Sequence, residues 1–126
     1  MADAELAFAS AADQIDRLRR GSVTASELLE LYLDRIDRFD ETYNLVVAFD
    51  RERARAAAAE IDLRRRRGDA LGPLAGLPIT IKDSFEVTGM PTTCGLEPLR
   101  DHRAEHDADA VTRLREAGAN VFGKTN

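Results

Sequence analysis

Apolar side chains recur every three to four residues through the first half of the chain, the spacing of one helix face. The first such segment covers residues 6–18 and stops before Gly21, so we expect one helix there. The second opens with Thr24, a preferred capping residue, and carries the capping-box partner Glu27 three positions later. These patterns predict a helical region at the start of the chain.

The second and third helices each present one apolar stripe. In the second helix the stripe follows the 3.6-residue period and consists of Leu28, Leu29, Tyr32, Leu33, Ile36 and Phe39. Residues 44–49 predict a short extended link. The third helix carries Ala54, Ala57, Ala58 and Ile61 on one face and ends before Gly68. Residues 1–68 are therefore expected to be helical.

The pattern changes after residue 68. A turn-rich stretch over residues 72–78 leads into an apolar strand, in which Leu77, Ile79 and Ile81 point to one side and Thr80 and Lys82 to the other. Residues 88–95 are dense in Gly, Pro and Thr and predict a loop. A fourth helix over residues 108–117 and a strand over residues 120–123 follow. This order of elements predicts the start of an α/β sheet over residues 69–126.

Composition narrows the class of protein. With 126 residues the chain amounts to one domain or part of a larger one, and its formal net charge is −5. An acidic chain lacks the positive field that generic nucleic-acid or anionic-membrane binding needs. The single cysteine, Cys94, excludes an internal disulfide. No secretory signal or membrane-spanning run is visible, so we expect a cytoplasmic protein without membrane or nucleic-acid partners.

Lysine usage is the most informative feature of the composition. Of the 18 basic side chains only two, Lys82 and Lys124, are lysines. A desolvated lysine can lose its proton and act as a base, whereas arginine stays charged. Lys82 follows an apolar strand, where partial burial beside a cleft is expected. The alternative is a structural lysine that snorkels or forms an ion pair with Asp83.

Four segments of the second half match, in order, the motifs of one enzyme family. They are Gly76-Leu77-Pro78-Ile79-Thr80-Ile81-Lys82-Asp83; Gly89-Met90-Pro91-Thr92-Thr93-Cys94-Gly95; Asp109-Ala110-Val111 with Leu114-Arg115 and Ala117-Gly118-Ala119; and Gly123-Lys124-Thr125-Asn126. Together they resemble the amidase signature family of Ser-Ser-Lys amide hydrolases. The capped second helix fits the same family, so the resemblance covers residues 22–126. Four motifs in register are more specific than one short pattern.

The resemblance implies a fold and an activity. The fold is α/β, a mixed sheet flanked by helices, of which residues 1–126 would form the N-terminal part. The family's lysine corresponds to Lys82 and acts as the base on a bridging serine, which relays a proton from a nucleophilic serine. Thr92, Thr93 and Gly95 lie in the loop that resembles the family's next motif, and they are candidates for shaping the substrate site. The expected substrate is a small amide, the family needs no metal or organic cofactor, and a homodimer is left open.

The chain departs from the family in one respect. The family's two serines lie in Gly/Ser-rich segments downstream of the Gly-Lys-Thr-Asn motif, and none of Ser10, Ser22, Ser26 and Ser84 lies in such a segment. The chain thus carries the lysine without the nucleophile, and alone it is expected to be inactive. Two alternatives stay open: the amidase subunit of a tRNA-dependent amidotransferase, and a truncated, non-catalytic product.

Three other patterns suggest chemistry less specifically. Ser84 lies two residues after Lys82, and an extended backbone would place both side chains on one face as a Ser-Lys dyad. The string His102-Arg103-Ala104-Glu105-His106 fits a zinc-peptidase pattern if it is helical, although a solvated loop is favoured because no third ligand is evident. The arginines at positions 64–67 fit the last turn of a helix better than a nucleic-acid patch.

Overall fold

Three helices open the described part of the chain, and short strands alternate with helices after them. The computed structural model describes the backbone of residues 2–126 and the side chains of residues 5–126. The elements are α1 (Ala2–Ala7), α2 (Ala11–Arg20), α3 (Ala25–Tyr43), β1 (Val46–Phe49), α4 (Arg51–Arg67), β2 (Pro78–Lys82), a 3₁₀ turn (Glu97–Leu99), α5 (Asp109–Glu116) and β3 (Asn120–Thr125). From the capped helix α3 onward the predicted order of helices and strands is confirmed, and the link at residues 44–49 contains the strand β1.

The single helix expected over residues 6–18 was wrong. The structure has two helices there, because Ser10 adopts an extended conformation and its Oγ accepts a hydrogen bond from the Asp13 amide at 3.1 Å. Serine at this position satisfies an amide at the helix start that would otherwise lack a partner. The apolar spacing continues across the break, so periodicity alone did not reveal it.

The start of α3 is capped twice. Thr24 Oγ1 accepts from the Glu27 amide at 3.1 Å, and Glu27 Oε2 accepts from the Thr24 amide at 2.8 Å, which confirms the capping box. In addition, the buried Asp62 of α4 accepts from the Ala25 and Ser26 amides at 2.7 and 3.0 Å. This carboxylate fixes α4 against the first turn of α3.

The described strands form one mixed sheet in the order β1-β3-β2. Strand β3 pairs antiparallel with β1 and parallel with β2, which confirms the mixed α/β architecture. Strand β3 holds one extra residue: Ile79 lies opposite Val121, and Thr80 lies opposite Gly123. The bulge therefore leaves Phe122 without a counterpart on β2.

Two apolar clusters pack on the sheet. Phe122 joins the larger cluster, which includes Leu28, Leu33 and Ala58 from α3 and α4. Val121 joins the smaller one with Ile81 and Val111. Because Val121 and the bulged Phe122 point to opposite faces, the helices α3 and α4 cover one face of the sheet and α5 covers the other. None of the described helices is long and apolar enough to cross a membrane.

Candidate functional site

Lys82 is the last residue of β2, at the carboxyl end of the parallel strand pair. It lies opposite Thr125 in the register, and alternation places it on the same face as Thr80, the face that α3 covers. The expected partial burial of Lys82 was wrong, because its side chain is exposed. Strand β2 lies at an edge of the sheet, and this explains the exposure.

A groove of about 520 Å³ opens on the same face as Lys82. Thr80 and Thr125, the neighbours of Lys82 on β2 and β3, lie in its wall. Most of the other lining side chains are apolar: Ala11, Tyr32, Ile36, Leu45, Val46, Leu77, Pro78, Ile79 and Phe122, with Gln14 the remaining polar one. Lys82 itself does not line the groove, but its same-face neighbours Thr80 and Thr125 do, so a mainly apolar depression suited to a small organic molecule lies beside the end of β2.

The second lysine, Lys124 of β3, has the opposite environment. It lies opposite Ile81 and is fully buried on the face that α5 covers. Its ammonium donates to the Pro91 carbonyl at 3.0 Å and to Thr92 Oγ1 at 2.9 Å, and Asp83 Oδ1 lies 3.3 Å away. An ammonium has three N–H donors, and here it has three oxygen neighbours.

Asp83 completes this buried cluster. Its Oδ2 accepts from the hydroxyl and the amide of Thr93 at 2.6 and 3.2 Å, and its own amide donates to the Thr125 carbonyl at 2.9 Å. Burial by itself would raise the pKa of Asp83, but the hydrogen bonds from Thr93 and the Lys124 ammonium outweigh it and lower that pKa. Asp83 is therefore the partner of Lys124, and the structure does not have the Lys82–Asp83 ion pair that was the structural alternative for Lys82.

The three candidate substrate-site residues lie in the loop after β2, on the Lys124 side. Thr92 is buried, Thr93 is half-buried and Gly95 is exposed. The Gly95 amide donates to Thr93 Oγ1 at 3.1 Å, and Gly95 has a φ of 71°, which glycine adopts without strain. Thr93 is bonded to Asp83, which is next to Lys82 in the chain, while Gly95 is bonded to Thr93 and Thr92 to Lys124. The role of these residues at a substrate site stays a prediction.

The alternative motifs do not form the geometry they require. Ser84 lies in a turn closed by the Phe85 amide and the Lys82 carbonyl at 3.0 Å, so an extended Lys82–Ser84 pair is absent. His102 and His106 lie in a non-helical segment, and His102 Nε2 lies 3.0 Å from Glu86 Oε1. No group of three or more possible metal ligands occurs among the described residues.

The arginines at the end of α4 have a structural use. Arg64 donates to the Ala70 carbonyl at 2.9 Å, and Arg65 donates to the Ala75 carbonyl at 3.1 Å. They hold the loop that leads into β2, in line with the interpretation of this run as a helix terminus.

Sequence reasoning missed the pairing of Asp83 with Lys124. One signal was available, because Lys124 is the other lysine in a chain that otherwise uses arginine. An arginine fork needs more space and more acceptors than a lysine ammonium, so a lysine in such a chain marks a confined site.

Comparison with known proteins supplies the remaining observation. The sequence model of the family described as Amidase matches residues 27–126. The chain is 41% identical over 122 residues to a glutamyl-tRNA(Gln) amidotransferase subunit of Salinispora tropica, covering 97% of this chain and 25% of that relative. It is 38% identical over 126 residues to an acylamidase of Rhodococcus erythropolis, covering 100% of this chain and 26% of that relative.

A solved structure agrees with these relatives. The native peptide amidase of Stenotrophomonas maltophilia superimposes with a TM-score of 0.86 at 38% identity, over 95% of this chain and 25% of the peptide amidase. The chain therefore spans about a quarter of the length of the relatives it matches.

Proposed function

The chain belongs to the amidase family, and from that membership we propose that it supplies the base of an amide hydrolase, with Lys82 in that role. The observation that carries the proposal is the position of Lys82. It lies at the carboxyl end of a parallel strand, beside a mainly apolar groove and within the segment that the family model matches. Active sites of open α/β sheets lie at this end of the strands.

The role of Lys82 follows from proton balance. A neutral lysine Nζ accepts the proton of a bridging hydroxyl, while that hydroxyl takes the proton of the nucleophile that attacks the amide carbonyl. The proton then returns along the same path to the leaving amine or ammonia. A lysine can start this sequence only when it is desolvated or lies near other positive charge. Lys82 is exposed in this structure, so the proposal requires a surface that covers its side chain in the active enzyme.

The test is an activity measurement on the intact gene product. Its mass and the codons after Asn126 are determined first, and release of ammonia is then followed with a panel of primary carboxamides, peptide amides and glutamine. We expect Lys82→Ala to lower kcat by at least about 1,000-fold, because general-base contributions reach this size. In the 126-residue chain, where Lys82 is exposed, the same substitution should leave the unfolding free energy within about 0.5 kcal/mol of the wild type.

Ser84→Ala is the matched control. It alters a hydroxyl two residues away, in a turn that does not align it with Lys82. Full activity of Ser84→Ala together with inactivity of Lys82→Ala supports the proposal. Unchanged activity of Lys82→Ala would refute it. A product of about 13.9 kDa that hydrolyses no amide would favour the non-catalytic alternative.

The second candidate is an amidotransferase subunit that releases ammonia from glutamine for a partner. The similarity to the glutamyl-tRNA(Gln) amidotransferase subunit is close to the similarity to the acylamidase, so sequence identity does not separate the two. Copurification of a partner and glutamine-dependent amidation of charged tRNA would favour the amidotransferase. Turnover of simple amides by the isolated polypeptide would favour the free amidase.

A further inference from the structure

One buried cluster connects three parts of the chain at the end of β2. Lys124 comes from β3, Asp83 directly follows β2, and Thr92 and Thr93 belong to the loop before α5. The contacts run from the Lys124 ammonium to Thr92 Oγ1 at 2.9 Å and to Asp83 Oδ1 at 3.3 Å, and from Thr93 Oγ1 to Asp83 Oδ2 at 2.6 Å. We call these four residues the Lys124 cluster.

The Lys124 cluster contains buried charges that packing alone does not explain. Replacing a buried ion pair by apolar side chains of similar size is often neutral or stabilising, so burial alone does not explain why charges occur here. Charged hydrogen bonds are directional, and they fix the position of the groups that they join. The Lys124 ammonium donates two hydrogen bonds, to the Pro91 carbonyl and to Thr92 Oγ1, and forms an ion pair with Asp83 Oδ1, while Asp83 Oδ2 accepts two hydrogen bonds from Thr93.

The same loop is held at other points without a lysine. The amide and hydroxyl of Thr88 both donate to Asp107 Oδ1, at 2.7 and 2.9 Å. This pair repeats the chemistry of Thr93 and Asp83, but it joins two parts of the loop instead of joining the loop to the strand that carries Lys82. The Thr88–Asp107 pair therefore provides an internal comparison.

We propose that Lys124 and Asp83 are positioning residues, which hold the segment of Thr92, Thr93 and Gly95 against the strand end that carries Lys82. Asp83 is covalently adjacent to Lys82, and its amide is bonded to Thr125, the residue opposite Lys82. Displacement of the loop is therefore transmitted to the backbone from which Lys82 projects. The importance of this arrangement for catalysis rests on the proposed function, whereas the arrangement itself does not.

Hydrogen–deuterium exchange of the intact protein tests the loop attachment. In Lys124→Met the Asp83 carboxylate loses its cation, and we expect the amides of Thr93 and Gly95 to exchange at least about tenfold faster than in the wild type. Thr93→Val keeps the side-chain shape and removes the acceptor of the Gly95 amide, so Gly95 should show the same acceleration. Thr88→Val, the matched control, should leave both amides unchanged.

The lysine side chains provide a second readout. If Lys124 and Asp83 only anchored the loop and had no influence on Lys82, this readout would not change. Because the chain has only two lysines, labelling with ¹³Cε-lysine gives two resonances, and Lys124→Met leaves that of Lys82. We expect the chemical shift of the Lys82 ¹³Cε resonance to change in Lys124→Met and in Thr93→Val. It should stay as in the wild type in Thr88→Val.

The outcomes separate this inference from the proposed function. If the exchange rate of the Gly95 amide in Thr93→Val stays within about twofold of the wild-type rate, the proposed attachment of the loop is refuted. This conclusion does not depend on whether Lys124→Met folds. An unchanged Lys82 resonance in Thr93→Val would refute the positioning of Lys82. Conversely, a wild-type protein that hydrolyses no amide but shows the expected exchange and resonance changes would refute only the proposed function.

Discussion

At the scale of single residues, the two lysines show how sheet register decides the environment of a side chain. Lys82 and Lys124 lie on neighbouring strands, one register position apart, and therefore on opposite faces of the sheet. One ammonium is exposed beside a groove, and the other is fully buried among oxygen atoms. The ammonium of Lys82 is accessible to solvent, whereas that of Lys124 is held by three oxygen atoms.

The carboxylates that hold the loop after β2 predict a pH dependence of stability. Asp83 is buried and Asp107 is half-buried, and this desolvation by itself would raise the pKa of each carboxyl. Hydrogen bonds from Thr93 to Asp83 and from Thr88 to Asp107, together with nearby cations, outweigh the desolvation, so the pKa of each lies below its ordinary value. A pKa that is lower in the folded than in the unfolded state stabilises the fold above the unfolded value of about 3.9. That contribution is lost as the pH falls through the folded-state pKa.

We therefore expect the unfolding free energy to be constant from pH 7 to about pH 5 and to fall below that, measured by urea denaturation at each pH. Asp107→Asn should be less stable at pH 7 and should show a shallower decline. A wild-type protein that keeps its full stability at pH 2 would contradict the assignment.

The lysine motif could be found from the sequence, but the cluster around Lys124 could not. Lys82 lies in a contiguous segment whose residues are all visible in the chain. Asp83, Thr92 and Lys124 are distant in sequence, and only the parallel pairing of β2 with β3 brings them together. The register of that pairing depends on a bulge, which has no clear signal in the sequence.

At the scale of elements, local signals explain why most of the helices were predictable. The capping box of α3 and the glycine after α4 act within a few residues, so they can be recognised without knowledge of the fold. The break before α2 was missed because Ser10 lies within an unbroken apolar repeat. The contact of Asp62 with the first turn of α3 depends on the packing of two helices and has no local pattern.

Asp62 is expected to contribute strongly to the packing of α3 on α4. Asp62→Ala removes the acceptor of the Ala25 and Ser26 amides and of the Ser26 hydroxyl, and should lower the unfolding free energy by about 2–4 kcal/mol. Chemical denaturation measures this loss. Asp69→Ala removes only a half-exposed ion pair with Arg64 and should cost less than about 0.5 kcal/mol. Equal losses in the two variants would contradict the role of Asp62.

Gly76 is required where the loop before β2 crosses the start of α3. Its φ is 86°, and an added Cβ would lie 2.7 Å from the Cβ of the buried Ala25. Gly76→Ala should lower the unfolding free energy by about 2–4 kcal/mol, from backbone strain and overpacking together.

Gly89→Ala separates these two contributions. Gly89 has a φ of 81° but no atom within 4 Å of an added Cβ, so this variant should show the backbone strain alone, about 1 kcal/mol. A loss in Gly76→Ala no larger than in Gly89→Ala would mean that the contact with Ala25 relaxes without cost.

At the scale of the whole molecule, the described part of the chain exposes strand edges and large apolar side chains. Both β1 and β2 are edge strands of the sheet. Large apolar side chains near β1 are exposed: Phe39 by 44%, Tyr43 by 65%, Leu45 by 58% and Val47 by 45%. An open strand edge flanked by apolar side chains favours association between copies.

We expect the isolated 126-residue polypeptide to self-associate as its concentration rises, measured by sedimentation velocity. Val47→Lys places a charge on the edge strand β1 at an exposed position, so it should reduce association with little loss of stability. A wild-type polypeptide that stays monomeric at all concentrations would contradict this expectation.

Because side chains alternate between the two faces of a strand, the extra residue in β3 decides which face each later side chain of that strand occupies. Deleting one residue after Phe122 would move Lys124 to the position opposite Thr80 and bring its ammonium out on the groove side. The buried Asp83 would then face an uncharged neighbour, and two ammonium groups would repel each other beside the groove. A substitution in β3 changes one side chain, whereas a single deletion would move every later side chain of the strand to the opposite face. We therefore expect the β3 strands of homologues to differ in residue type but to contain the same number of residues.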